Sequence, residues 1–242
     1  MEREIFSMKN HRAAKRHGIY VPLPHSFICS EDWRGLSQSA KAVYIVIAVH
    51  KNGKHRCQIG LDTIAAMTGV CKKTAWKAIK ELESEGLLTV FRFYNSELKR
   101  NDTNIYVLES EHLSVQEWHF KFPKTLVTSG IWTVLSLKAK AVFLTLVVNL
   151  EPLYGEICGG DEVTMKVADV VELTGISRKT VSVAIDQLTH KNRKGHSLFD
   201  CVGRTREGNI YRYRGNDLWV WKMSVLNDRR KSERLREKHY GR

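Results

Sequence analysis

The stretch "TGVCKKTAWKAIKELESEGLLTV", Thr68 to Val90, decides how this chain is read. Ala75, Ala78, Ile79 and Leu82 recur at helical spacing and mark a buried face. The same geometry turns Lys72, Lys73, Trp76, Lys77 and Lys80 outward. Thr68-Gly69 supplies a turn before this helix and Gly86 ends it. The period then changes, because "LLTVFRFY" is β-branched and aromatic. Such a helix is either a solvated surface element or one shaped to lie in a nucleic-acid groove.

The stretch has an echo. "TGISRKTVSVAIDQL", Thr174 to Leu188, registers with it residue by residue. Upstream, "PHSFICSEDWRGLSQSAKAVY" from Pro24 aligns without a gap with "PKTLVTSGIWTVLSLKAKAVF" from Pro123. Two blocks matching in the same order point to two copies of one module. A Gly-rich insertion around Glu151 to Asp161 lengthens the loop between the blocks in copy two, at small cost in loop entropy.

Each copy predicts the same elements. Ser37 is an N-cap for a helix with a one-face stripe of Ala40, Val43, Tyr44, Ile47 and Ala48. Ser136 does the same for Ala139, Val142, Phe143, Leu146 and Val147. A shorter helix follows, with Leu61, Ile64, Ala65 and Met67, or Val167, Val170, Val171 and Leu173. Thr-Gly closes it with a left-handed glycine. The third helix carries Val181, Ala184, Ile185 and Leu188 inward in copy two. Ser177 is expected to cap it, and Cys71 to cap its counterpart less well. Hairpins follow: "LLTVFRFY" with "NIYVL", and "LFDCVGRTR" with "IYRYR" across a Glu207-Gly208-Asn209 turn. Helix, helix, turn, helix, hairpin is the order of a winged helix-turn-helix. The expected fold class is α+β, mostly α: two tandem winged helix-turn-helix domains with basic N- and C-terminal tails. The boundaries are an arm at 1–20, domains at 21–112 and 113–222, and a tail at 223–242.

The phrases Leu36-Ser37-x-x-Ala40-Lys41-Ala42-Val43-Tyr44 and Thr68-Gly69-Val70-x-x-x-Thr74 resemble the winged helix-turn-helix domains near the N-termini of plasmid and phage replication initiators. The resemblance covers Pro24 to Leu108 and again Pro123 to Arg214. It implies a DNA-binding fold and a role in starting replication of a plasmid, phage or integrative element, with host replication proteins as further partners. Transcription regulators and partition proteins use similar modules, so a repressor or a bridging adaptor are the alternatives.

Composition agrees with a polyanionic partner. The 242 residues carry a formal net charge of +13, and the 43% hydrophobic content suits a globular core. No apolar run approaches the roughly 20 residues that span a bilayer, so no membrane partner is expected. No signal peptide is visible in "MEREIFSMKNHRAAKRH". Five cysteines without a CxxC pair suggest a reduced cytoplasmic protein, associated with the nucleoid, without structural zinc or a disulfide framework.

The candidate DNA contacts follow from helix-turn-helix docking, in which the second helix of the motif enters the major groove. In copy one they are Lys72, Lys73, Thr74, Trp76, Lys77 and Lys80. In copy two they are Ser177, Arg178, Lys179, Thr180 and Ser182, with Val183 and Asp186 completing the outward face. Arg178 has the planar fork that matches guanine O6 and N7, and Val183 suits a thymine methyl. Trp76 suits stacking on DNA or packing against the wing. Lys99, Arg100, Arg204 and Arg206 lie on the wings, where cations approach phosphates. Arg212 and Arg214 share one strand face, read as basic surface. The two helices differ enough to read different subsites, or for copy two to serve a dimer or protein partner instead. Basic runs at both termini add salt-dependent affinity.

No enzyme is expected. There is no GxxxxGK[ST] phosphate loop, no paired histidines with a nucleophilic tyrosine, and no carboxylate cluster for two metals. His50, His55 and Cys57 lack a fourth metal ligand at recognisable spacing. No cofactor and no metal are therefore predicted.

Overall fold

In a computed structural model, residues 20–52, 55–95, 100–101, 103–109, 119–150, 161–191 and 197–215 are described, those of 94–95 and 100–101 by backbone only. Both predicted terminal segments, 1–20 but for Tyr20 and 223–242, lie outside the described residues, as does Lys99. The fold is mixed α and β, with more helix than strand.

Copy one opens with strand β1 (Tyr20–Pro24) and two short helices, α1 (His25–Ile28) and α2 (Glu31–Gly35). Helices α3 (Gln38–His50), α4 (Leu61–Thr68) and α5 (Lys72–Ser84) follow, with strand β2 (Arg56–Gln58) between the first two. Strands β3 (Leu88–Phe91) and β6 (Ile105–Leu108) pair antiparallel, and β2 adds to the other edge of β6. The short ladder β4 (Tyr94–Asn95) with β5 (Arg100–Asn101) lies between β3 and β6 in the chain. Copy two repeats this order: β7 (His119–Pro123), α6 (Thr125–Thr128), α7 (Ile131–Val134), α8 (Leu137–Val148), β8 (Glu162–Met165), α9 (Val167–Thr174), α10 (Arg178–Thr189), β9 (Phe199–Arg204) and β10 (Asn209–Tyr213). Its sheet order is β8-β10-β9. Asn209 is the first residue of β10, so the hairpin turn falls one residue earlier than expected and is closed by Thr205 N–H on the Gly208 carbonyl at 2.8 Å.

The predicted caps of α3 and α8 form. Ser37 Oγ accepts from Ala40 N–H at 3.2 Å, and Ser136 Oγ from Ala139 N–H at 3.1 Å. Each hydroxyl also donates onward to the third helix, Ser37 to Glu81 at 2.6 Å and Ser136 to Gln187 at 2.7 Å. One side chain thus starts a helix and ties down its neighbour.

The one-face stripe expected for α3 is incomplete. Every residue from Ala40 to Val49 is buried, and so is every residue from Ala139 to Val148 in α8. A helix buried all round lies inside a core. The reason is that α3 and α8 pack against each other as well as against their own copies. Trp132 Nε1 donates to the Ala42 carbonyl across this contact at 3.3 Å. Equivalent aromatic pairs flank it, Trp33 with Tyr44 at 5.4 Å and Trp132 with Phe143 at 6.2 Å, both edge-on.

The two copies are related by an approximate twofold axis. Strands β1 and β7 pair antiparallel, Tyr20 with Pro123 and Pro24 with His119. Tyr20 is the equivalent of His119, and Pro24 of Pro123, so exchanging the copies maps the ladder onto itself. The axis passes through the pair Pro22 and Lys121. Two buried lysines obey the same symmetry. Lys41 Nζ donates to the Thr174 carbonyl at 3.2 Å, and Lys140 Nζ to the equivalent Thr68 carbonyl at 2.9 Å. Each also bonds a carbonyl in its own copy, Arg34 at 3.2 Å and Leu135 at 2.6 Å. Each ammonium therefore meets one carbonyl that α4 or α9 of the other copy leaves open at its C-terminus.

The glycines that close α4 and α9 take left-handed conformations, Gly69 at φ 76° and Gly175 at φ 68°. Gly69 is the more constrained. A Cβ there would lie 2.4 Å from the Thr133 carbonyl oxygen of the other copy, against 3.6 Å from Arg34 O at Gly175 and open space at Gly86. Gly86→Ala and Gly175→Ala are expected to cost about 1–2 kcal/mol, the left-handed penalty alone. Gly69→Ala costs more, because backbone must also move. Urea denaturation of the three variants ranks them, and equal losses would refute the contact.

Burial pushes the pKa of Lys41 and Lys140 down to about 8, with Glu81 opposing the shift at Lys41. Below pH 8 both folded and unfolded chains hold these protons, and the cost of burying the charge is fully present. Between about 8 and the ordinary 10.5 the unfolded chain binds more protons, so this contribution raises stability with pH. The wild-type protein should therefore gain on Lys140→Met as pH rises through that window, by at most about 3 kcal/mol. Cys57, Tyr106 and Tyr213, whose pKa values burial raises, titrate in both proteins and cancel in the difference. Paired urea titrations across this range check it, and a flat difference would contradict it.

Candidate nucleic-acid interface

Helix α5 buries Ala75, Ala78, Ile79 and Leu82, and α10 buries Val181, Ala184, Ile185 and Leu188. Their outward faces are those the spacing predicted. Lys72, Lys73, Trp76, Lys77 and Lys80 are exposed, as are Ser177, Arg178, Lys179, Ser182, Val183 and Asp186. Thr74 and Thr180 are half-buried.

The cations of α5 are not equivalent. Lys72 pairs with Asp62 of α4 at 2.9 Å. Lys80 pairs with Glu83 at 3.4 Å. Glu83 is also gripped by both terminal nitrogens of Arg92, at 3.0 and 2.6 Å. The Arg92 hydrogen bonds are the main reason that the Glu83 carboxyl is held below its usual range. Lys73 and Lys77 have no ion-pair partner among the described residues. In α10, Arg178 and Lys179 are likewise without an ion pair among the described residues. Ser182 turns its hydroxyl back to the Arg178 carbonyl at 3.2 Å.

The expected contrast in capping is absent. Ser177 accepts no backbone hydrogen bond. Its hydroxyl donates to Thr180 Oγ1 at 2.9 Å instead. Cys71 is likewise hydrogen-bonded to Thr74, Sγ and Oγ1 3.1 Å apart. At both helix starts the side chain is turned to the threonine three residues on, in an orientation that accepts no backbone N–H. The Thr74 contacts lower the pKa of the exposed Cys71 thiol.

Two outward apolar groups stand out: Trp76 is 51% exposed and Val183 63% exposed. No described aromatic ring stacks on Trp76. The two groups occupy successive, not equivalent, positions, since Trp76 corresponds to Ser182 and Lys77 to Val183.

On the hairpins, Arg204 ends β9 and Arg206 lies in the turn, both exposed. Arg100 lies in β5, described by backbone only. Arg212 and Arg214 are exposed as expected. Their charge is offset, because Arg212 pairs with Glu162 at 2.5 Å and Arg214 with Asp200 at 3.6 Å. Sequence reading missed Arg92 as the partner of Glu83. Its nine-residue separation crosses from helix α5 to the residue just past β3, which no helical periodicity reveals.

A family model described as a helix-turn-helix domain matches residues 34–88, from Arg34 through α3, α4 and α5 to the first residue of β3. No curated protein and no solved structure matches the chain. Over these residues copy one is similar to a helix-turn-helix domain, which suggests DNA as a partner. No described helix is long and apolar enough to cross a membrane.

Pairing ranks the lysines as DNA contacts. Lys73→Ala and Lys77→Ala should each reduce the slope of log affinity against log salt for duplex binding by about 1. Lys80→Ala should change it less, since Glu83 already offsets that charge. Fluorescence anisotropy across a salt series measures all three slopes, and equal losses would show that the ion pair is irrelevant.

Proposed function

We propose that this protein is a tandem winged helix-turn-helix protein that binds specific double-stranded DNA sites, reading two different subsites with α5 and α10. Its role in this reading is to start replication of a plasmid, phage or integrative element by occupying an origin and recruiting host replication proteins. Its work is recognition and assembly, not catalysis. It would act in the cytoplasm, on the nucleoid.

One observation carries the reading. Two exposed helices, each with unpaired cations in its first turn and a half, are related by an approximate dyad. Elements related by a twofold axis lie at the same height along it and share any outward component along it. A fixed relation between the two helices supports the reading of two subsites by one chain. The hairpins after them supply Arg204 and Arg206 where wing cations meet phosphates. The unlike residues at Trp76, Lys77 and Lys80 against Ser182, Val183 and Asp186 support unlike subsites. The replication role is supported by resemblance of the two sequence phrases alone.

A second reading is favoured by the outward face of α10, which carries an exposed valine and an aspartate where α5 has lysines. There copy two would hold a protein partner or a second copy of the chain, and the protein would be a regulator or a bridging adaptor.

Arg178→Ala with Lys179→Ala separates these. If both helices read DNA, specific affinity falls about tenfold or more, and selected sites lose sequence preference over one half only. If α10 serves a protein, affinity and preference persist. Replication of a test plasmid carrying the selected site tests the initiator role. A plasmid that fails to replicate, although the protein binds its site, would refute that role.

A further inference from the structure

The dyad supplies an internal control for one unusual cluster. The end of α8 meets α1 of copy one through a hydrogen-bonded set that contains no lysine. His25 Nε2 is 3.0 Å from Asn149 Oδ1, and Asn149 Nδ2 donates to Thr145 O at 2.8 Å and to Cys29 Sγ at 3.7 Å. The symmetry-equivalent place is the end of α3 beside α6. There His50 corresponds to Asn149, and its Nδ1 bonds the equivalent carbonyl, that of Val46, at 2.8 Å. Lys124 stands where His25 does, and Lys51 follows His50. The same junction thus holds no lysine on one side and two on the other. Docking of the copies does not require the lysines.

The cationic side holds its groups against their mutual repulsion. Lys51, His55 and Lys124 are all half-buried. Lys51 Nζ lies 3.3 Å from His55 Nδ1. With Lys51 protonated, that nitrogen accepts and Nε2–H is left as a donor. The Lys51 pKa is lowered by burial and then by the Lys124 charge, and that of His55 by burial and then by Lys51. Among the described residues no carboxylate forms an ion pair with any of the three. His55 is also the one described non-glycine residue with positive φ, at 58°. Asn52 locks it there: its carbonyl accepts from His55 N–H at 3.1 Å, and its side chain accepts from Arg56 N–H at 3.1 Å. The helix C-terminus attracts one cation by its dipole, which accounts for Lys51 and not for three groups.

We propose that Lys51, His55 and Lys124 form a binding site for a phosphate group at the junction of the two copies, apart from the reading helices. The site offers two ammonium groups and an imidazole N–H, all donors, and a tetrahedral oxyanion presents acceptors to each. The bound charge replaces repulsion with attraction and raises the His55 pKa. His55 O accepts from Leu108 N–H, at the end of the sheet away from the β4–β5 turn, so a ligand here leaves the wing free. The phosphate is either that of a nucleic-acid backbone or that of a free phosphorylated molecule.

The test uses the full chain labelled with ¹³C-histidine, with the His55 signal assigned from His55→Gln. Inorganic phosphate is titrated against chloride at equal ionic strength. His55 should shift saturably and its pKa should rise, while His25 stays still. Lys51→Gln with Lys124→Gln should weaken binding about tenfold or more. Lys124→Gln alone, which leaves the α3 terminus intact, should weaken it in the same direction. An equal response to chloride, or an undiminished response in either variant, would overturn the site. A duplex added to a chain with Lys73, Lys77, Arg178 and Lys179 changed to Ala identifies the source. A His55 shift there assigns the phosphate to nucleic acid; a shift with free phosphate alone assigns it to a small molecule.

Discussion

Two buried ammonium groups organise this molecule. Lys41 and Lys140 each reach out of their own copy to the last carbonyl of the short helix in the other. Buried cations are costly unless hydrogen-bonded, and helix C-termini are short of donors. Each problem answers the other, twice, across an approximate dyad. The carbonyls belong to Thr68 and Thr174, which immediately precede the left-handed glycines that lead into α5 and α10. The positions of α5 and α10 are thus referred to a common centre rather than to two separate cores.

That centre is the α3–α8 contact. Both helices are buried on every side, so neither copy as seen here has a core of its own that excludes the other. The caps extend the linkage outward, since Ser37 and Ser136 join the start of each central helix to Glu81 on α5 and Gln187 on α10. A rigid connection of this kind presents two helices to a partner at one spacing and lowers the ordering cost of binding. Around this symmetric frame the surface chemistry differs between copies. Ion pairs mute Lys72 and Lys80 but leave Lys73 and Lys77, and one junction carries two lysines where its equivalent carries none.

Much of the local structure was legible in the sequence. Caps at Ser37 and Ser136, left-handed glycines at 69 and 175, and the inward faces of α5 and α10 follow from short-range sterics and helical period. The Ser177 cap was misread, because capping depends on the rotamer, and the hydroxyl is drawn to Thr180 three residues on. Strands β1, β2, β7 and β8 were missed. They are three to five residues long, and pairing with distant partners, not local propensity, makes them strands.

The sequence by itself determined the repeat and which side chains of each third helix point away from the core, since periodicity encodes both. Only the tertiary structure decided which of those charges remain free. Asp62 lies ten residues from Lys72, and Arg92 nine from Glu83, and their meeting depends on how separate elements pack. It also decided why Lys41 and Lys140 are lysines. In sequence they are polar breaks in an apolar stripe. In the fold they are the donors that two helix ends require, a need visible only when each copy is set against the other.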